Sequence, residues 1–156
     1  MANDAITGQP IFKGATGVGL RSVGSYQVSG HPFVTGSTIG DQIEMRVEFP
    51  FVTKKITVIA SGSQGLGGLR VHFVSTGSTA QTPNALFPTQ RTGVVPGKHY
   101  IHLNSHEDSV DLDVKCKELY LSSPNGAGGF MLYASLTNIS TGSMYAVTGS
   151  GISAAY

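Results

Sequence analysis

Apolar and polar residues alternate with a period of two in segment after segment of this chain. Residues 43–49 show the pattern most clearly, because Met45 and Val47 alternate with Glu44, Arg46 and Glu48. Such alternation predicts a β-strand with one buried face and one solvated face. No long window carries the i, i+3, i+4, i+7 spacing of an amphipathic helix. The sequence therefore predicts an all-β protein.

The same alternation predicts further strands, with turns rich in Gly, Pro and Ser between them. About eight strands result, which describes an antiparallel β-sandwich, and eight in particular fits a jelly roll. Besides 43–49, the predicted strands lie near residues 20–28, 55–61, 69–75, 98–104, 110–121, 130–137 and 144–148.

The longest predicted strand, 110–121, changes its alternation part of the way along. Its apolar residues fall on one parity as far as Cys116 and on the other parity from Leu119 onward. A β-bulge near Lys117 and Glu118 would explain this slip, because a bulge inserts one extra residue into a strand.

The chain divides into an extended N-terminal arm, residues 1–19, and a β-sandwich domain, residues 20–156. The arm is rich in Gly and small side chains and has no clear hydrophobic period. Chain termini fray unless something holds them, so we expect the arm to lie against a neighbouring subunit or against the sheet. Ile11 and Phe12 are its predicted contact residues.

Residues 75–97 carry three prolines and read as a long loop. Loops beyond about 12 to 15 residues are uncommon in compact domains and tend to be functional. Leu86 and Phe87 in this loop are predicted contact residues. The alternative is that both side chains fold back onto the sandwich.

Composition favours contact with protein. Charged residues make up only 12% of the chain, against about 25% in an ordinary soluble domain, and charge is depleted at interface cores. The net charge of +1 comes from scattered residues, which argues against direct nucleic-acid binding. No apolar run reaches the roughly 20 residues of a membrane helix, so no membrane association is expected. A single cysteine and no signal-like start favour an intracellular origin.

Residues 98–113 gather three histidines, one glutamate and three aspartates, which raises the question of a metal or acid–base site. His99 and His102 point to opposite faces of a strand because their separation is odd. His106 lies at the tip of a predicted hairpin turn, 104–109, and the aspartates that follow lie on a solvated face. No metal site is therefore predicted. A metal-dependent jelly-roll enzyme built on these three histidines is the least favoured alternative.

Other chemical motifs are equally weak. The glycine-rich runs at Gly14 and Gly62 match neither a dinucleotide fingerprint nor a P-loop, and a strand follows where those motifs need a helix. No Gly-x-Ser-x-Gly nucleophile elbow occurs, and Cys116 falls on the inward parity of its strand. The sequence therefore predicts no catalytic residue, no cofactor and no enzyme activity.

Met131 and Tyr133 form a second apolar row on their strand, opposite Phe130 and Leu132. A strand with two apolar faces is normally covered on both sides. We therefore expect the arm, a long loop or another subunit to contact Met131 and Tyr133. The alternative is a carbohydrate-binding face that uses Tyr133, although the chain has no tryptophan.

Residues 130–153, FMLYASLTNISTGSMYAVTGSGIS, contain an apolar strand, a Leu-Thr-Asn-Ile turn, a short return strand and a tail of Thr, Gly and Ser. This order resembles the closing strands of small jelly-roll virion proteins, including capsid and cement (decoration) proteins of tailed phages. The resemblance covers the last quarter of the chain. It implies a structural part without active site or cofactor, whose extended termini bind neighbouring subunits.

The sequence as a whole predicts a virion structural protein, either a capsid-stabilising (cement or decoration) protein or a capsid subunit. Its expected partners are copies of itself and other capsid proteins, and its expected state is a homo-oligomer located in the virion after synthesis in the host cytoplasm. The alternative is a lectin-like carbohydrate- or receptor-binding module, for example of a phage fibre, that uses residues 75–97 or Tyr133.

Overall fold

The computed structural model describes residues 19–21, 23–27, 30–62, 68–75, 77–81, 89–94 and 100–145. Almost all of their regular structure is β-strand, and no helix in these ranges has the length and apolarity to span a membrane. In chain order the elements are α1 (Gly24–Gln27), β1 (His31–Ile39), β2 (Ile43–Glu48), β3 (Phe51–Ser61), β4 (Leu69–His72), β5 (Gly77–Gln81), β6 (Thr89–Val94), β7 (Ile101–Leu103), β8 (Ser109–Leu112), β9 (Glu118–Ser123), β10 (Gly128–Ser140) and a 3-10 turn (Thr141–Ser143).

The strands form two antiparallel sheets. The first sheet has the order β1-β10-β3-β8, and the second has the order β5-β6-β2-β9-β4-β7. Without β5 and β6, each sheet has four strands, and the chain alternates between the sheets at β1 to β4 and again at β7 to β10. This is the arrangement of a jelly roll. The predicted all-β antiparallel sandwich is therefore confirmed.

The hydrophobic core lies between the two sheets. Phe130 and Leu132 of the first sheet face it, as do Leu119 and Leu121 of the second, and each is almost fully buried. Burial of one such side chain contributes about 1.5–3 kcal/mol relative to an exposed one. The other core residues are Ile39, Met45, Val47, Phe49, Val52, Ile56, Val58, Ala60, Leu69, Val71, Leu103, Cys116, Ala134, Leu136, Ile139 and Met144.

Two of the predicted strand positions at the ends of the domain differ from the structure. The predicted strand at 20–28 is wrong, because Tyr26 and Gln27 donate their N–H groups to the carbonyl of Val23 and form the short helix α1. The first strand is instead β1, whose inward residues include Thr35 and Ser37, so its apolar period is hidden. In the predicted strand at 144–148, the first two residues lie outside any strand and the others lie outside the described residues.

The predicted single strand with a bulge at 110–121 is also wrong. β8 belongs to the first sheet and β9 to the second, and the chain crosses between the sheets in the residues that separate them. The shift of parity marks this crossing. Thr53 holds the crossing in place: its hydroxyl donates to the carbonyl of Val114 at 2.7 Å and accepts from the N–H of Cys116 at 3.0 Å.

The predicted hairpin at 104–109 is a connection of the same kind, because β7 and β8 lie in different sheets. Asp108 closes the turn by accepting the N–H groups of Asn104 and Ser105 at 2.9 and 2.8 Å. The tip of the turn, with its histidine and its acidic residues, therefore bridges the two layers at the margin of the sandwich.

Residues 75–97 do not form a single long loop. β5 and β6 pair with each other, and β6 pairs with β2, so this segment adds a hairpin to the edge of the second sheet. The predicted contact residues Leu86 and Phe87 lie outside the described residues, and so do Ile11 and Phe12. Of the predicted arm, 1–19, only Gly19 is described.

Candidate functional site

The side of the first sheet that faces away from the core carries large apolar side chains. The strand register places Val34 opposite Tyr133, and Met131 opposite Ile59. Val34 is 75% exposed, Met131 50% and Tyr133 44%, and Ile59 is half-buried. We call these four residues the exposed apolar face.

Polar residues border the exposed apolar face along β3 and β8. Thr57 stands opposite Tyr133, and Asp111 stands opposite Thr57. The Asp111 carboxylate accepts hydrogen bonds from the Thr57 hydroxyl at 2.5 Å and from Lys55 Nζ at 3.1 Å. These two bonds, the one from Thr57 first, lower the pKa of Asp111. The polar rim of the exposed apolar face therefore consists of an ionised Asp111 carboxylate that Thr57 and Lys55 hold in place.

The exposed apolar face extends to the edge of its sheet. Among the described strands, β1 pairs only with β10, although β1 is nine residues long. An unpaired edge presents backbone N–H and C=O groups to any strand that approaches, and Val34 lies on this edge strand. The apolar side chains and the open backbone edge are therefore continuous.

Such a face suits contact with another protein. Large apolar patches on soluble proteins mark interaction sites, and Tyr and Met are enriched in interface cores. The outward position of Met131 and Tyr133 agrees with the sequence analysis, and their role as contact residues stays a prediction. Sequence reasoning missed Val34 because β1 was not recognised. It also missed Ile59, although an apolar residue on the solvated parity of a strand was a usable signal.

The outward side of the second sheet is built in the opposite way. Glu44 of β2, Ser122 of β9 and Arg70 of β4 stand opposite one another in register, and His72 follows on the same face of β4. Glu44 and His72 are 1% exposed and Ser122 is 0% exposed. The buried polar cluster, as we name it, consists of Glu44, Arg70, His72, Ser75, Tyr100 and Ser122.

Hydrogen bonds and ring contacts connect the buried polar cluster. His72 Nε2 lies 2.5 Å from Ser122 Oγ, and Ser75 Oγ donates to Glu44 Oε1 at 2.5 Å. The guanidinium of Arg70 lies over the Tyr100 ring, with Cζ 4.2 Å from the ring centroid. The expectation that Glu44 would be solvated is wrong, because the alternation along β2 identifies the inward parity but not what covers the outward one.

His72 is held in its neutral form. Burial lowers its pKa from 6.5 to about 4, the charge of Arg70 also lowers it, and the carboxylate of Glu44 opposes the shift in part. At neutral pH the imidazole therefore carries one proton, which resides on either Nε2 or Nδ1.

Ser122, His72 and Glu44 include the residue types of a nucleophilic triad, but their arrangement does not support one. A triad needs the carboxylate to bond the second imidazole nitrogen, and His72 Nδ1 has no hydrogen-bond partner in the described part of the chain. Ser122 has no exposed surface that a substrate could reach. The geometry therefore gives no support to acyl-transfer chemistry at this position.

The described residues of the candidate metal site make separate contacts. His102 is exposed on β7, and His106 Nδ1 accepts the N–H of Gly62 at 3.0 Å in the turn before β8. His99 lies outside the described residues. Within the described ranges, no group of three or more His, Cys, Asp or Glu side chains could hold a metal ion.

Cys116 is buried, as its inward parity indicated. Burial raises the pKa of its thiol to about 11. A thiol in this form is protonated at neutral pH and is a poor nucleophile, so Cys116 acts as a small apolar core residue.

A surface depression of about 350 Å³ lies at the other end of the second sheet's outward side. Its central cation, Arg46, is ion-paired with Glu48 at 2.6 Å and also with Glu118. Because these charges satisfy one another, the depression offers little unpaired charge to a ligand. Its lining residues are Arg46, Glu48, Phe49, Lys117, Glu118, Thr141 and Gly142.

Comparisons with protein-family models, with curated proteins and with solved structures found no match for this chain. The fold and the two outward sheet surfaces are therefore the features that bear on function.

Proposed function

We propose that the protein is a structural component of a virion, a capsid-stabilising (cement or decoration) protein or a capsid subunit, which works by assembling with copies of itself and with other capsid proteins. The observation that carries this proposal is the exposed apolar face on one sheet of a jelly roll. The jelly roll is a fold of viral capsid domains and also of lectins, so the fold supports the class only by analogy.

The dimensions of the first sheet favour many weak contacts over one strong one. Four strands about 4.8 Å apart and roughly 30 Å long present on the order of 500 Å², whereas a standard stable interface buries about 800 Å² on each partner. A single such contact would be weak. In a symmetric shell each subunit makes several contacts at high effective concentration, and weak contacts then suffice.

Low charge fits the same role. A surface with few charged residues loses little hydration free energy when other protein covers it, and this chain contains only 12% charged residues. The open edge of β1 offers a second mode of contact, since a neighbouring strand could extend the first sheet there. The proposed protein needs no cofactor and no direct contact with nucleic acid.

Introducing a positive charge into the exposed apolar face tests the proposal. Met131→Lys and Val34→Lys should weaken self-association at least tenfold, because a lysine in an interface core loses its hydration without gaining a partner. Sedimentation velocity across a concentration series and electron microscopy of the resulting particles provide the measurement. The matched control is Val23→Lys, which places the same charge on a residue that is 68% exposed outside both sheets.

Wild-type protein that stays monomeric at every accessible concentration, without ordered particles, would contradict self-assembly. Equal association in Met131→Lys, Val34→Lys and Val23→Lys would leave assembly standing but would move it to another surface.

A lectin-like module is a second candidate, and one observation favours it. Tyr133, Thr57 and Asp111 stand in one row across three strands, so an exposed ring lies beside a carboxylate and a hydroxyl that could bond sugar hydroxyls. Glycan-array binding that is lost in Tyr133→Ala and in Asp111→Asn, but kept in Val34→Lys, would favour this function over assembly. An array without any signal would remove it.

A further inference from the structure

A surface depression of about 210 Å³ lies beside the exposed apolar face, on the same side of the first sheet. Gly129 in its lining comes two residues before Met131 on β10 and therefore faces the same side. We call this feature the Gly129 depression. Its lining residues are Thr38, Ser61, Gly62, Ala127, Gly128 and Gly129.

The strand register divides the outward side of the first sheet into a half with large side chains and a half with small ones. Gly129 pairs with Thr38 of β1 and with Ser61 of β3, which makes one row of small residues across three strands. The next outward row along β10 contains Met131, and the row after it contains Tyr133. Two residues of a strand span about 7 Å. The large side chains therefore stand directly next to the depression.

The depression is a fixed feature of the backbone. A Cβ at Gly129 would lie 2.6 Å from the carbonyl oxygen of Ser61, whereas non-bonded carbon atoms prefer separations of about 3.5–4.0 Å. The close approach of β10 to β3 therefore requires glycine at this position. Because no side chain at position 129 can fill the depression, its volume is open to a side chain of another molecule.

We propose that a second copy of this chain covers the exposed apolar face, with the two first sheets stacked face to face around a two-fold axis that crosses β10 between Met131 and Gly129. This inference rests on the proposed assembly of the chain with copies of itself and specifies one contact in it. The rotation exchanges the large half and the small half, so Met131 of each copy enters the Gly129 depression of the other. Such an interface is isologous and closes with two copies.

The same rotation places large residues over small ones along the neighbouring strands. Each strand stacks on its own equivalent in the other copy, with its direction reversed. Ile59 of β3 then lies over Ser61 of the other copy, and Tyr133 lies over the region of Ala127. Packed sheets are about 10 Å apart and commonly rotated by about 30°, and their side chains interdigitate when large residues face small ones. The outward side of the first sheet is therefore complementary in shape to itself.

Charge and area also favour a second copy. The charged side chains of the polar rim, Lys55 and Asp111, are paired with each other and therefore attract neither an acidic nor a basic partner. Met131 has a flexible side chain, which suits a depression of irregular shape. About 500 Å² on each copy gives about 1,000 Å² in total, at the lower limit for a specific interface. The expected dimer is therefore weak and depends on concentration.

A mixture of two variants tests this arrangement. Met131→Lys and Thr38→Glu should each weaken self-association about tenfold or more, because the new charge is buried against an uncharged surface of the other copy. In an equal mixture, the new lysine of one copy meets the new glutamate of the other at one contact, and the second contact keeps its native residues. Mixing should therefore recover most of the lost affinity. Sedimentation velocity on the separate and the mixed variants provides the measurement.

The matched control is an equal mixture of Met131→Lys and Thr38→Lys. It changes the same two positions but brings like charges together, so it should recover no affinity. High salt should reduce the recovery in the first mixture, because it screens the attraction between opposite charges. Urea denaturation of each variant in dilute protein verifies that it is folded.

Wild-type protein gives a second measurement that does not depend on the variants. In an equal mixture of isotope-labelled and unlabelled copies, isotope-filtered NMR detects contacts between copies only. At concentrations where the protein self-associates, the methyl group of Met131 should contact the methyl groups of Thr38 and Ala127 of the other copy.

A lack of recovery in the mixture of folded Met131→Lys and folded Thr38→Glu would overturn the two-fold arrangement and would leave assembly through another contact standing. Contacts of the Met131 methyl group with a different surface of the other copy would do the same. Wild-type protein that stays monomeric at every accessible concentration would contradict both this inference and the assembly proposal. Recovery of affinity in a protein that forms no ordered particle would support the dimer and count against the capsid role.

Discussion

The outward sides of the two sheets differ in which side chains they expose and which they bury. The first sheet leaves Met131 and Tyr133 in contact with solvent, whereas the second sheet buries Glu44 and His72. Both arrangements run against the ordinary preference for apolar residues inside and charged residues outside. The first surface therefore exposes apolar area that a partner could cover, whereas the second buries nitrogen atoms that have no hydrogen-bond partner among the described residues.

The contrast shows how much a period of two can indicate. Alternation identifies the parity that faces the core, and it did so correctly for Met45, Leu132 and Cys116. It carries no information about what lies beyond the outward parity. Glu44 and His72, on the outward parity of the second sheet, look like ordinary solvated residues in the sequence, yet both are buried.

The largest expected effect is a difference in the free energy of unfolding between substitutions on the two faces of β10. Phe130→Ala should lower the free energy of unfolding by about 3–5 kcal/mol, because it opens a cavity in the core. Tyr133→Ala, three residues further on the outward face, should change it by less than about 1 kcal/mol in dilute protein. Urea denaturation measures both. Comparable losses in the two variants would mean that the exposed apolar face is covered within the same chain.

The pH dependence of stability should report on the second sheet. The pKa of folded His72 lies near 4, below its ordinary value of 6.5, so the unfolded chain binds more protons between these values. The contribution of His72 is complete above about pH 6.5 and is lost as the pH falls toward 4. It amounts to up to about 3 kcal/mol, at about 1.4 kcal/mol for each pKa unit.

Urea denaturation between pH 4 and 7 measures this slope, and His72→Gln should flatten it. Glu44 and Arg70 face the imidazole and remain in the variant, so the difference between the two slopes belongs to His72. The exposed residue His106 gives the control His106→Gln, which should keep the wild-type slope. An unchanged slope in His72→Gln would mean that the imidazole is solvated.

Removing the Ser122 hydroxyl, which bonds His72, should have a smaller effect on the free energy of unfolding. Ser122→Ala should cost about 1–3 kcal/mol, because it leaves His72 Nε2 buried without a partner. Ser109→Ala removes the same group from the exposed outward side of β8 and should stay within about 0.5 kcal/mol of wild type. Thermal or urea unfolding measures the pair, and equal values would show that Ser122 is not a buried partner of His72.

Much of the fold could be predicted from the sequence because the core dictates the inward parity. The all-β sandwich and the strands β2, β3, β4, β7 and β10 followed from apolar residues at alternate positions. β1 was missed because Thr35 and Ser37 occupy its inward parity. The break between β8 and β9 was read as a bulge because a crossing between sheets and a bulge produce the same shift of parity.

The two outward surfaces were predicted unequally for a related reason. Met131 and Tyr133 could be identified because an apolar outward residue stands out from its strand. The buried polar cluster could not, because Arg70, His72 and Ser122 have the polarity of an ordinary solvated face. Their burial depends on the tertiary arrangement around the second sheet, and a single sequence does not encode that in a local pattern.

The smallest predicted effect concerns the rim of the exposed apolar face. The hydrogen bond from Thr57 contributes more than the bond from Lys55 to the lowered pKa of Asp111. Thr57→Val and Lys55→Gln should each raise the pKa of Asp111 toward its ordinary value, as measured by NMR titration of the carboxyl carbon. Lys54→Gln removes the same charge from the adjacent position and is the control.

Added salt should distinguish the contributions of Lys55 and Thr57 to the lowered pKa of Asp111. Lys55 acts on Asp111 through a hydrogen bond and also through its charge, and high salt screens the effect of the charge, whereas the Thr57 bond is a short-range contact. In high salt, Lys55→Gln should therefore raise the pKa of Asp111 by less than it does in low salt, and the effect of Thr57→Val should change little. An unchanged pKa of Asp111 in Thr57→Val under both conditions would mean that Lys55 alone holds the carboxylate and that Thr57 is free to bond a ligand beside Tyr133.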